Sequence, residues 1–167
     1  MTGVEPDRHV PAPVAVIGLG GSARALGAAL LRAGHDVSWW WPAPEDDPDP
    51  DPPLPPGAVV AGRAVDAVLG RDVVVLHLPD AEAVRRVVLA GPDALADALG
   101  PRTVLVDTSP VGPREARSTA RALERRLLRT LEAALSGTPR QAAEGRLATH
   151  VGGDPETMED VRTVLES

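Results

Sequence analysis

Along residues 14–107, short apolar runs alternate with stretches whose apolar positions recur at helical spacing. Residues 14–18 are almost wholly apolar, as in a parallel strand buried on both faces. A glycine-rich turn follows. Residues 22–33 are then rich in Ala and Leu and stop at Gly34, which predicts a helix closed by glycine. Residues 36–41 read as a second strand, rich in β-formers. After a break the pattern resumes with a short strand near 59–61, a helix over 64–69 and a strong strand over 72–78. Helices are predicted over 80–89 and 93–99, a strand over 103–107, and a long helix from just after Pro113. Strand and helix alternating at this spacing predict βαβ units and a mostly parallel sheet with right-handed crossovers.

The last third carries two competing signals. Residues 114–135 read as helical throughout on propensity, with no Gly or Pro to interrupt them, whereas sheet register favours a strand near 128–135. A final strand over 146–151 and a closing helix over 155–166, with Pro155 in its first turn, complete the pattern. Two segments fall outside it. Residues 1–12 are polar and proline-bearing, a loose arm. Residues 42–56 hold eight Pro and five acids. Proline removes backbone donors and the acids repel one another, so this is a solvated loop. The expected organisation is an arm at 1–12 and one α/β domain at 13–167, with the acidic, Pro-rich loop at 42–56.

Composition narrows the function classes. At 167 residues the chain suits one domain. It has no Phe, Tyr or Cys, and its only aromatic residues are Trp39, Trp40 and Trp41, so Val, Leu and Ala must fill the core. Without Cys there are neither disulfides nor thiolate metal sites. No apolar run approaches the roughly 20 residues of a membrane span, and no signal peptide opens the chain, so the expected location is cytoplasmic, with no membrane partner. The net charge of −7 argues against a nucleic-acid partner. Arg114, Arg117, Arg121, Arg125, Arg126 and Arg129 recur at helical spacing and read as a solvated helix face. All 17 basic residues are Arg; there is no Lys.

The sharpest chemical signal is Gly18-Leu19-Gly20-Gly21-Ser22-Ala23, which fits G-x-G-x-x-A. Gly18 permits a tight turn and Gly20 lets the backbone approach a diphosphate. Ala23 is small enough for close helix-to-strand packing, and the helix start offers free N–H groups and partial positive charge. Such a turn is weak evidence alone; between a buried strand and an amphipathic helix it predicts a Rossmann-type, doubly wound domain that binds a dinucleotide. An acid that reads the ribose is expected about 20 residues on. Trp41 and Pro42 stand there instead, and no Arg is present to meet a 2′-phosphate. Glu45, Asp46 and Asp47 lie just beyond, so charge favours NAD over NADP. The three Trp residues either wall an adenine pocket or fill the core.

The chain resembles the β-hydroxyacid dehydrogenases, the group containing 3-hydroxyisobutyrate and 6-phosphogluconate dehydrogenases and the related imine reductases. Four blocks carry the likeness: VAVIGLGGSARALGAALLRAGHDV, GAVVAGRAVDAVLGRDVVVLHLPD, TVLVDTSPVGP and LEAALSGTPRQAAEGRLATHVGGDPE. The resemblance implies that this is the family's N-terminal NAD(P)-binding domain, with NADP the usual cofactor. It implies that Leu78-Pro79 line the adenosine side and that Ser109 lies near the nicotinamide and the substrate. Ser136-Gly137-Thr138 fall on the loop whose backbone N–H groups hold the substrate carboxylate. The plainer alternative for Ser109 and Ser136 is an ordinary turn residue.

Several positions depart from the family pattern. Trp41-Pro42 replace Asn-Arg, Pro110 replaces a Thr, Thr138 replaces a Gly, and Leu127 stands where a helix-ending Gly is common. The family's helical C-terminal domain is absent from the 167 residues, as is its catalytic Lys, so no catalytic residue is assigned. His9, His35, His77 and His150 show no metal-ligand spacing. His77, on a buried strand, reads as a satisfied core or cleft histidine, and Asp107 as a turn cap more readily than a general base. The functional expectation is the cofactor-binding half of a hydroxyacid dehydrogenase-like oxidoreductase, incomplete alone, with a small hydroxy acid or imine as substrate. A non-catalytic nucleotide-binding or sensing module, or a truncated product, remains the alternative. A homo-oligomer or a partner chain is left open.

Overall fold

A computed structural model describes residues 10–18, 20–42, 53–138, 141 and 144–167. His9, Leu19 and residues 43–52 of the acidic loop lie outside the described residues. A seven-stranded sheet has the order β3-β2-β1-β4-β5-β6-β7. Its strands are β1 (Pro13–Gly18), β2 (Asp36–Trp40), β3 (Val59–Val60), β4 (Val73–His77), β5 (Val104–Asp107), β6 (Arg129–Ser136) and β7 (Ala148–Gly153). The first six are parallel and β7 runs antiparallel to β6. This is the doubly wound order in which the connection reverses between β1 and β4, opening a crevice at their carboxyl ends.

Helices α1 (Gly21–Arg32), α5 (Pro155–Asp160) and α6 (Arg162–Leu165) cover one face of the sheet. The other face carries α2 (Ala64–Val68), α3 (Ala81–Val88) and α4 (Pro113–Glu124). Alternation along each strand divides the core accordingly: Val14 and Val16 face α1, whereas Ala15 and Ile17 face α2 and α3. All four are fully buried. That explains why residues 14–18 lack a polar alternation, since neither face of the strand meets water. Burying each Val or Ile stabilises by about 1.5–3 kcal/mol.

Five local expectations are corrected. The helix expected over 93–99 is only a 3-10 turn, Leu95–Asp97. The stretch 114–135 is not helical throughout. Helix α4 stops at Glu124, and Leu127, at φ 59, is the one non-glycine residue with positive φ among those described. Leu128 N–H donates to Leu123 C=O at 3.1 Å, so the end is a Schellman cap with Leu in the usual glycine place. Pairing with β5 over Val104↔Arg129 to Asp107↔Glu132 then overrides the local helical preference. The last strand is shifted to Ala148–Gly153, and the closing helix breaks at Val161 into α5 and α6. Strand β2 ends at Trp40, leaving Trp41 just beyond it.

Candidate functional site

The turn from β1 into α1 is held from beneath by two close contacts. Gly18 pairs in register with His77, and a Cβ built on Gly18 would lie 1.9 Å from the His77 carbonyl oxygen. At φ +142 its backbone is also outside the range of L side chains. The second contact comes from Trp39, which is fully buried and donates its indole N–H to the Gly18 carbonyl at 2.8 Å. Gly27 makes room for that indole: a Cβ there would fall 2.1 Å from the ring. Ala23, fully buried on the same face, lets α1 lie close to β1.

Above the turn the space is open among the described residues. Gly20 is the N-cap of α1 at φ +98, and neither Gly20 nor Gly21 has anything within 4 Å of a would-be Cβ. Among the described residues no side chain caps the helix, and no acid stands in its first turn. Gly20, Gly21 and Ser22 are exposed. A helix start of this kind presents backbone donors and partial positive charge to an anion. Leu19, the remaining residue of the motif, lies outside the described residues.

The other expected residues gather along the same carboxyl edge. Leu78 and Pro79 follow β4; Leu78 is buried and Pro79 exposed. Ser109 Oγ accepts from Leu78 N–H at 3.0 Å, tying the ends of β4 and β5 together. Asp107 accepts from Ser109 N–H at 2.9 Å, the turn-capping role expected of it. Burial pushes the Asp107 carboxyl above its ordinary range, against hydrogen bonds from Ser109 and the influence of His77. Ser136 closes β6 and is exposed, and Gly137 follows at φ +149. Thr138 N–H is engaged by Gln141 Oε1 at 2.9 Å, while Gln141 N–H donates to Thr138 Oγ1 at 3.3 Å. One backbone donor of the expected carboxylate loop is therefore already occupied by a side chain of the chain itself.

The three Trp residues divide. Trp39 is core and supports the turn. Trp40 packs with Ala61 against the α2–α3 side. Trp41, the expected cofactor residue, packs with Leu54 and Ala58 against the α1 side, and its indole N–H is buried with no acceptor among the described residues. Neither Gly27 nor the support from Trp39 was anticipated. The signal available was a small residue four positions after Ala23 on the helix face turned to the sheet.

A cavity of about 210 Å³ lies on the α1 side between α1, β6, β7 and α6. Leu26, Val75, Thr108, Leu135 and Leu147 are among its lining residues, and the glycine turn is not.

Residues 13–167 match the family described as the NAD binding domain of 6-phosphogluconate dehydrogenase. The chain belongs to that family. This NAD-binding domain is 36% identical over 153 residues to a probable 3-hydroxyisobutyrate dehydrogenase of Mycobacterium tuberculosis, covering 92% of the chain and 50% of the relative. It is 34% identical over 154 residues to an NAD-dependent L-serine dehydrogenase of Pseudomonas aeruginosa, with the same coverage. Among solved structures, the Mycobacterium tuberculosis 3-hydroxyisobutyrate dehydrogenase with L-serine superposes with a TM-score of 0.81 at 34% identity, over 94% of this chain and 52% of that one. The chain thus spans about half the length of the curated relatives it matches. No helix among the described residues is long and apolar enough to cross a membrane.

Proposed function

We propose that these 167 residues are the cofactor half of a β-hydroxyacid dehydrogenase-like oxidoreductase, gripping a dinucleotide by its diphosphate at the start of α1. The observation that carries this is the open, uncapped helix start above a glycine whose missing side chain is required by the His77 carbonyl. The adenosine would extend along Leu78-Pro79 toward Trp41, and the nicotinamide toward Ser109. Trp41-Pro42 at the end of β2, followed in sequence by Glu45, Asp46 and Asp47, favour NAD over NADP because acids repel a 2′-phosphate. The solved relatives include a variant of the Myxococcus stipitatus imine reductase with NAD+ and Psf3 with NADP+, so both cofactors occur among them.

The resemblance places the proton transfer that accompanies hydride transfer with a small hydroxy acid or imine on a Lys of a helical second domain, and these 167 residues contain no Lys. A small acid would sit near Ser109 and the Ser136-Gly137-Thr138 loop. The altered positions at Trp41 and Pro42 favour a second reading, a nucleotide-sensing module that performs no redox step.

Tryptophan emission tests the binding claim directly, because Trp39 is bonded to the turn. Titration with NADH quenches emission and raises the melting temperature, and NADPH does so less strongly. Silence of both signals at millimolar cofactor sinks the reading. Turnover of NAD+ with L-serine by the purified chain alone would overturn its catalytic insufficiency.

A further inference from the structure

His77 ends β4 directly beside the glycine turn, in register with Gly18. Strand alternation puts its side chain on the α1 side, with Val73 and Val75. Its Nδ1 lies 3.0 Å from both the carbonyl oxygen and the Oγ1 of Thr108. Thr108 Oγ1 donates its own proton to the Leu76 carbonyl at 2.7 Å, so towards the imidazole it can only accept. Both partners being acceptors, Nδ1 must carry the proton. Burial holds the ring below the usual histidine range, so at neutral pH it is uncharged and Nε2 is a bare lone pair. Nε2 has no partner among the described residues, although the ring is half-buried. The histidine is therefore satisfied on its inner side and open on the other.

We infer that His77 Nε2 is a ligand-binding acceptor, taking a hydrogen bond from a hydroxyl of the molecule bound across the carboxyl edge. This rests on the cofactor reading above. A fixed Nδ1–H with a bare Nε2 accepts and does not donate, so a phosphate is not its partner. Beyond the diphosphate at the start of α1, the next donors along a dinucleotide are the hydroxyls of the nicotinamide-side ribose; a hydroxy acid presents the same chemistry. In either case His77 fixes the orientation of the reacting end of the ligand, and it enters no covalent step.

Long-range 1H–15N NMR of the imidazole in the full 167-residue chain tests this, with the backbone amides of Gly20 and Ser22 followed in the same samples. The free chain shows Nδ1 protonated and Nε2 as a pyridine-type nitrogen. The probes are ADP, ADP-ribose, and NAD+ with L-serine. A shift of Nε2 with ADP-ribose but not with ADP supports the ribose as source. A shift only when NAD+ and L-serine are both present supports the substrate hydroxyl. If the glycine-turn amides move and Nε2 stays still with every probe, the proposal is overturned while cofactor binding stands. If neither moves, the cofactor reading falls and the proposal with it. A free chain with Nε2 protonated also overturns it. His77→Asn keeps a donor facing Thr108 and deletes the outer acceptor. It weakens the responding ligand about fivefold, the scale of one net hydrogen bond, and leaves ADP affinity unchanged.

Discussion

Helices α1 and α3 follow adjacent parallel strands and begin at the same edge of the sheet, yet they begin differently. The start of α3 is closed: Asp80 accepts from Ala83 N–H at 2.8 Å, and Glu82 adds a carboxylate in the first turn. The start of α1 is open: its N-cap is Gly20, with no side-chain cap and no acid in the first turn. A cap is worth about 1 kcal/mol to a helix. Among the described residues that device is present at α3 and lacking at α1, where neither a cap nor an acid in the first turn meets the free N–H groups. One end is finished by the chain itself, and the other is the end at which the proposed function seats the diphosphate.

The comparison breaks most severely at Gly18. Gly18→Ala forces a Cβ against the His77 carbonyl oxygen and should cost about 3 kcal/mol or more in urea unfolding, with NADH binding lost. Ser22→Asp sharpens it by making α1 resemble α3. NADH affinity should drop more than about tenfold from like-charge repulsion, while stability holds or rises by about 0.5 kcal/mol through the helix dipole. Opposite signs in those two measurements are the signature of an end kept open for an anion; equal losses would make Ser22 merely structural. The reciprocal change, Asp80→Ala, should lower stability by about 1 kcal/mol and leave NADH affinity within about twofold. The smallest effect is expected at a helix end far from any ligand. Leu127→Gly relieves a left-handed conformation costing about 1–2 kcal/mol and adds about 0.5–1 kcal/mol of unfolded-state entropy, a net gain of about 0.5 kcal/mol. Leu127 is 86% exposed, so little packing is lost with it.

Much of this architecture could be read before any coordinates. Residues 14–18, the glycine turn and the helix after it are defined by neighbours in sequence: glycines for positive φ, an apolar run for two buried faces, Gly34 for the stop. Local pattern was therefore sufficient there; the alternation of elements gave the mostly parallel sheet, and the glycine turn in its strand–helix setting gave the doubly wound, Rossmann-type reading. The candidate edge residues Leu78, Pro79, Ser109 and Ser136 do lie at the ends of neighbouring strands, because strand ends in a parallel sheet share one edge.

Other features were settled only by contacts distant in sequence. Residues 125–135 have helical propensity, yet hydrogen bonding to β5 draws 129–135 into the sheet, and a cap with Leu127 in the left-handed region is accepted to allow it. Three identical Trp residues carry no mark of which will be core. Trp39 went under the glycine turn because Gly27, on another element, left a hollow for its ring. His77 looks in sequence like any histidine on a buried strand. Its proton is placed on Nδ1 by Thr108, 31 residues away. Sequence determined what lies next to what along the chain; which nitrogen, which ring and which helix end stay open for a ligand depended on groups that only folding brings together.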